Sequence, residues 1–134
     1  MPEYDARALR VENREGDRVV VRGRDGLVLG KIGGLRGGVD LANVVAPSEN
    51  AVREARDFSK RARRGNWAMT VGLTAISVWL LTARIHDMDP AVATAVDAAY
   101  AGGLVLAVYG AVQLNRANTA LGRSIWWYNR DLAR

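Results

Sequence analysis

From residue 65 to residue 83 this chain carries no charged side chain, and a second uncharged run, 98–114, follows after a short break. A helix as long as the first run rises ~28 Å, against ~30 Å for the hydrocarbon core of a bilayer. Two such helices joined by a tight acidic turn read as a transmembrane hairpin. The fold expected is therefore a mostly α membrane protein, an antiparallel two-helix transmembrane hairpin with long helices extending into the cytoplasm. A small N-terminal β-hairpin or meander is added to it.

The distribution of charge sets the expected orientation. The net charge is +5. Arg53, Arg56, Lys60, Arg61, Arg63 and Arg64 crowd the entrance to the first apolar run, and Arg116, Arg123, Arg130 and Arg134 follow the second. The connecting turn sets Arg84 against Asp87 and Asp89. Arginine and lysine gather on the cytoplasmic side of spanning helices, so both termini are expected there. The first fifteen residues are polar and hold no apolar signal core, so insertion is expected to rely on the hairpin itself. A composition rich in alanine, arginine and glycine and poor in lysine fits a bacterial source, hence an inner-membrane location.

Read along its length, the chain divides into a flexible lead (1–16), a β-module (17–46) and a helical hairpin (47–134). The valines of Asp17–Arg22 favour a strand, Asp25-Gly26 a turn and Leu27–Ile32 the returning strand. Val39–Val45 reads as a third short strand after the glycine-rich loop Gly33–Gly38. An isolated hairpin is marginal in water, so the module should pack on the membrane surface, the helices or a partner. Within the hairpin the reading gives a cytoplasmic helix (48–64), a first span (65–84), a turn (85–90), a second span (91–114) and a C-terminal cytoplasmic helix (115–134). Pro47-Ser48 opens the first helix, and Gly65-Asn66 is a candidate flex point. Ala51, Ala55, Phe58 and Ala62 form an apolar stripe. Leu114, Leu121, Ile125, Tyr128 and Leu132 form another, and the two should lie side by side.

Four features carry the functional expectations. Ala95, Ala99, Gly103, Ala107 and Ala111 form a small-residue ridge at four-residue spacing, suited to close helix packing in lipid, within the hairpin or against a partner. Asp97 is an acid within the second span, read as a structural acid pairing near the turn or as an intramembrane functional group. Trp126-Trp127-Tyr128, flanked by Arg123 and Arg130, span too much of a helix circumference to face one neighbour. They serve membrane anchoring or, the favoured reading, contact with a protein partner. Lys60, Arg61, Arg63 and Arg64 suit acidic lipid headgroups.

Other chemistry is disfavoured. There is no cysteine, and one histidine, His86, in a polar turn that is better read as solvated than as a ligand. Gly30–Gly38 matches no phosphate-binding fingerprint, and no nucleophile–base set or cofactor motif is present. No metal, cofactor or nucleic acid is expected. The expected role is a non-enzymatic accessory or scaffolding subunit of a larger membrane assembly, or a homo-oligomer, whose partners are lipids and other membrane subunits or itself. The alternative is a small oligomeric channel or carrier protomer built around Asp97, with Thr70, Thr74 and Thr94 along its path.

Overall fold

A computed structural model describes residues 2–33, 38–83, 85 and 88–134. The chain forms two compact units, one of Met1–Ala62 with Arg116–Arg134 and one of Arg63–Asn115. Two long helices, α3 (Glu49–Thr82) and α4 (Pro90–Leu132), contribute to both. The protein is mostly helical with one small antiparallel sheet.

In the first unit a short helix, α1 (Pro2–Arg7), leads into three antiparallel strands, β1 (Leu9–Arg14), β2 (Asp17–Arg22) and β3 (Leu27–Lys31), paired in chain order. β2 and β3 stand where the valine run and the Asp-Gly turn put them. The third strand comes from the opposite side. It is formed by Leu9–Arg14, read above as part of a flexible lead, with Val11 opposite Val20 and Leu9 opposite Arg22. The β1–β2 turn uses Glu15 and Gly16, both at positive φ (52° and 84°). Glycine enters that region freely but glutamate rarely does, so the residues do not advertise the turn. The strand expected at Val39–Val45 is instead a short helix, α2 (Leu41–Val44), whose first turn is capped by the Asp40 carboxylate accepting from the Asn43 N–H.

The meander is not left alone in water. Leu9 and Val20 join Leu41 and Val45 in a core with Ala51, Ala55 and Phe58 of α3 and Ala117, Leu121 and Tyr128 of α4. Of the three supports expected for it, the helices of its own unit supply this one. The stripes of α3 and α4 do lie side by side here, as their spacing predicts. Ser124, fully buried, donates to the Ala51 carbonyl at 2.9 Å. Ser48 caps α3 by accepting from the Ala51 N–H at 3.3 Å, and donates to the Asp131 carboxylate at 2.6 Å. Asn129 treats Leu9 as a strand neighbour would, accepting from its N–H and donating to its carbonyl, both at 2.8 Å.

In the second unit α3 and α4 run antiparallel at very short range. A methyl group built on Gly72 would meet the Gly103 carbonyl oxygen at 2.6 Å, and one on Gly65 would meet Leu114 Cγ at 2.9 Å and the Gly110 carbonyl at 3.0 Å. The inward positions alternate at four and three residues: Gly65, Met69, Gly72, Ile76 and Trp79 on α3, and Val96, Tyr100, Gly103, Ala107, Gly110 and Leu114 on α4. That is the heptad pattern of a two-helix seam, here with glycine at every seventh residue where the backbones come closest. Gly65-Asn66 is helical and no break occurs there. α4 starts at Pro90, with the Asp89 carboxylate accepting from the Ala91 N–H at 2.8 Å.

Among the described residues one helix, α4, is long and apolar enough to cross a membrane, where the sequence led to an expectation of two. The second half of α3 is equally free of charge, but Asn66, Thr70, Thr74, Ser77 and Thr82 dilute its apolar character. Arg84, His86 and Asp87 of the expected turn, and Gly34–Gly37 of the glycine-rich loop, lie outside the described residues.

Candidate functional site

An extended exposed apolar surface belongs to the second unit. Only 6% of the most apolar stretch of α4 is buried, whereas the core helix of a water-soluble domain would be mostly covered. Leu104, Val105, Val108 and Val112 of α4 and Leu73, Val78, Leu80 and Leu81 of α3 all point outward. Four hydroxyls in this unit turn back onto their own helix backbones. Thr74 donates to the Thr70 carbonyl, Ser77 to Leu73, Thr82 to Val78 and Thr94 to Pro90, at 2.8–2.9 Å. Those four hydroxyls would meet an apolar solvent already hydrogen-bonded.

The small-residue ridge divides. Gly103 and Ala107 face Gly72, while Ala95, Ala99 and Ala111 are exposed. The geometry of the helix requires this. Each four-residue step overshoots a full turn by ~40°, so five such positions wander ~160° around the axis and cannot stay on one seam. The contact instead uses Gly103 and Gly110 against Gly72 and Gly65. Those glycines stand in two pairs, each seven residues apart. Ala95 and Ala99 line a shallow apolar groove with Ala75, Val78 and Val92.

Asp97 is engaged. The Trp79 indole N–H donates to its Oδ1 at 2.8 Å, and the Trp79 ring stacks on Tyr100 with centroids 4.5 Å apart. The donor across the hairpin is a tryptophan; Arg84 and His86, the residues near the turn that could pair with Asp97, lie outside the described residues.

In the first unit the aromatic cluster separates by depth. Tyr128 is 5% exposed and belongs to the core, Trp127 is half-buried, and Trp126 is 56% exposed. The Arg130 guanidinium lies over the Trp127 ring at 3.8 Å and within 5.2 Å of the Trp126 ring, and the two indoles meet edge to face at 5.0 Å. The result is an edge-to-face pair of indoles on one helix with the Arg130 guanidinium packed closely on Trp127 and near Trp126, a favourable arrangement of cation and aromatic faces. Arg123 lies elsewhere, lining a cleft of about 270 Å³ with Glu54, Asp57, Arg61 and Arg116.

The expected headgroup cluster is split between the units. Lys60 and Arg61 belong to the first, where Arg61 is bound to Asp57 at 2.6 Å. Arg63 and Arg64 belong to the second, and both are exposed. Among the described residues no three His, Cys, Asp or Glu side chains come together to hold a metal. No family model, curated protein or solved structure matches the chain.

Proposed function

We propose that this chain is a two-pass membrane protein whose water-facing unit serves as a contact module for other proteins, acting as an accessory or scaffolding subunit and not as an enzyme. The observation that carries the membrane assignment is the exposure of the apolar stretch of α4. The second pass follows from topology. If α4 crosses the bilayer, residues 90 and 116 emerge on opposite sides. The first unit nevertheless ties residues 116–134 to residues 1–62 through Asn129–Leu9, Ser48–Asp131 and Ser124–Ala51. On this reading the chain returns through the bilayer in the uncharged part of α3, where the Thr74, Ser77 and Thr82 hydroxyls donate within the helix. Charge bias puts both termini on the cytoplasmic side, with a bacterial inner membrane as the host. The exposed Trp126 with its Arg130 partner is the surface assigned to protein contact, because exposed tryptophan beside arginine is typical of binding hot spots.

Two measurements test this reading. The chain has no cysteine, so single cysteines at Asp25, Ile85 and Ala133 report topology through a membrane-impermeant thiol reagent. Labelling of Ile85→Cys from outside, with the other two reached only after lysis, is expected; resistance of all three to carbonate extraction would be lost if the chain were not integral. Purification of tagged protein in mild detergent, followed by mass spectrometry and an absorbance scan, should recover stoichiometric companions that Trp126→Ala releases. A homo-oligomer without companions would overturn the accessory role.

A further inference from the structure

Within the second unit a groove of about 420 Å³ opens between the helices, lined by Arg63, Arg64, Trp67 and Ala68 of α3 and by Leu106 and Tyr109 of α4. Its parts are graded by polarity. Arg63 and Arg64 are the last charges before the uncharged run, and both are exposed. Trp67 and Tyr109 stand beyond them at 65% and 44% exposure, and Ala68, 2% exposed, lies between as a small floor. Leu106 continues the apolar lining. Cation, amphipathic ring and aliphatic side chain thus follow one another along the groove, matching the order of phosphate, glycerol ester and acyl chain in a phospholipid.

The lining contains no carboxylate. This distinguishes it from the cleft of the first unit, where Asp57 already neutralises Arg61. Two guanidiniums without an acid can bind a phosphodiester bidentately, but offer nothing to the ammonium of a zwitterionic headgroup. We infer that this groove is a binding site for a single anionic phospholipid of the phosphatidylglycerol type, with the phosphate on Arg63 and Arg64 and one acyl chain laid over Ala68 between Trp67 and Tyr109. The inference rests on the membrane reading and adds to it a specific lipid and its seat.

The test uses full-length protein in mild detergent, equilibrated with equal amounts of phosphatidylglycerol and phosphatidylcholine and examined by native mass spectrometry. One phosphatidylglycerol per chain is expected to be retained in preference to phosphatidylcholine. Arg63→Gln with Arg64→Gln should cut that preference about twenty-five-fold, roughly fivefold for each arginine removed from an anionic lipid. Tyr109→Ala, which keeps both charges, should lower retention of either lipid. Arg53→Gln with Arg56→Gln, exposed arginines of the other unit, should leave the preference intact. Equal retention of the two lipids, or an equal loss in the Arg53/Arg56 pair, overturns the site and leaves the membrane assignment standing. Displacement of the lipid by millimolar glycerol phosphate would overturn it in favour of a soluble phosphate ligand. Release of the protein from membranes by carbonate would overturn the membrane reading itself.

Discussion

Gly72 and Gly103 face each other across the second unit so closely that a Cβ on either would sit 2.6–2.8 Å from the other's carbonyl oxygen. Contact at that range is made by backbone, and in lipid such packing is a main source of helix association. Gly103→Ala should force α3 and α4 apart and destabilise the pair by about 1–3 kcal/mol. Gly102→Ala is the matched control, since nothing lies within 4 Å of a Cβ there. It should be neutral or slightly stabilising. Reversible unfolding in mixed micelles, followed by circular dichroism, measures both.

The hydrogen bond from Trp79 to Asp97 makes a distinct prediction. Trp79→Phe retains a ring to stack on Tyr100 but removes the N–H donor, and should cost about 0.6–1.7 kcal/mol in the same assay. Asp97→Asn retains a carbonyl acceptor at the same place and should cost less. A conducting protein would respond differently: Asp97→Asn would abolish an ion flux in reconstituted vesicles while leaving stability unchanged.

Asn129 holds the edge of the sheet by both hydrogen-bonding groups of Leu9. Asn129→Ala leaves a partly buried N–H and a partly buried carbonyl unpaired, a loss of about 1–3 kcal/mol. Hydrogen exchange should show the Leu9 amide losing protection first, with the β2–β3 ladder affected less. Uniform loss across the three strands would mean that the meander is held mainly by its apolar face.

Arg10 and Arg14 both donate to Glu12, at 2.6 and 3.0 Å, and hold its carboxyl below the ordinary glutamate value, Arg10 being the larger cause. A carboxyl whose folded-state pKa is depressed adds stability above the unfolded value, and that stability is lost as pH falls through the folded one. The side-chain carbon of Glu12 should therefore titrate below 4.5 by NMR. Arg10→Gln should move the midpoint up, further than Arg14→Gln does. Both effects should shrink in high salt, because the group is at the surface.

Much of the architecture is legible in the residues. The uncharged runs, the valines of β2, the Asp-Gly turn, Pro90 and the Ser48 cap each act through local rules of charge, branching or φ. Three misreadings share a cause. Glu15 at positive φ, the capping of α2 by Asp40 and the wandering of the alanine ridge all depend on geometry that residue type signals weakly. The candidate surfaces were partly legible for the same reason. Three adjacent aromatics must point three ways, but that Tyr128 goes inward and Trp126 outward depends on where Ala51, Leu41 and the sheet supply a core.

The sequence by itself determined the two long helices, the uncharged stretch within each and their antiparallel pairing, because chain continuity, hydropathy and charge are local properties. Only the tertiary structure decided which glycines meet, that Trp79 partners Asp97, that Leu9 is clasped by Asn129 and that Trp67 and Tyr109 border one groove with Arg63 and Arg64. Each of those relations joins residues from separate segments, and its energy exists only once two elements have packed.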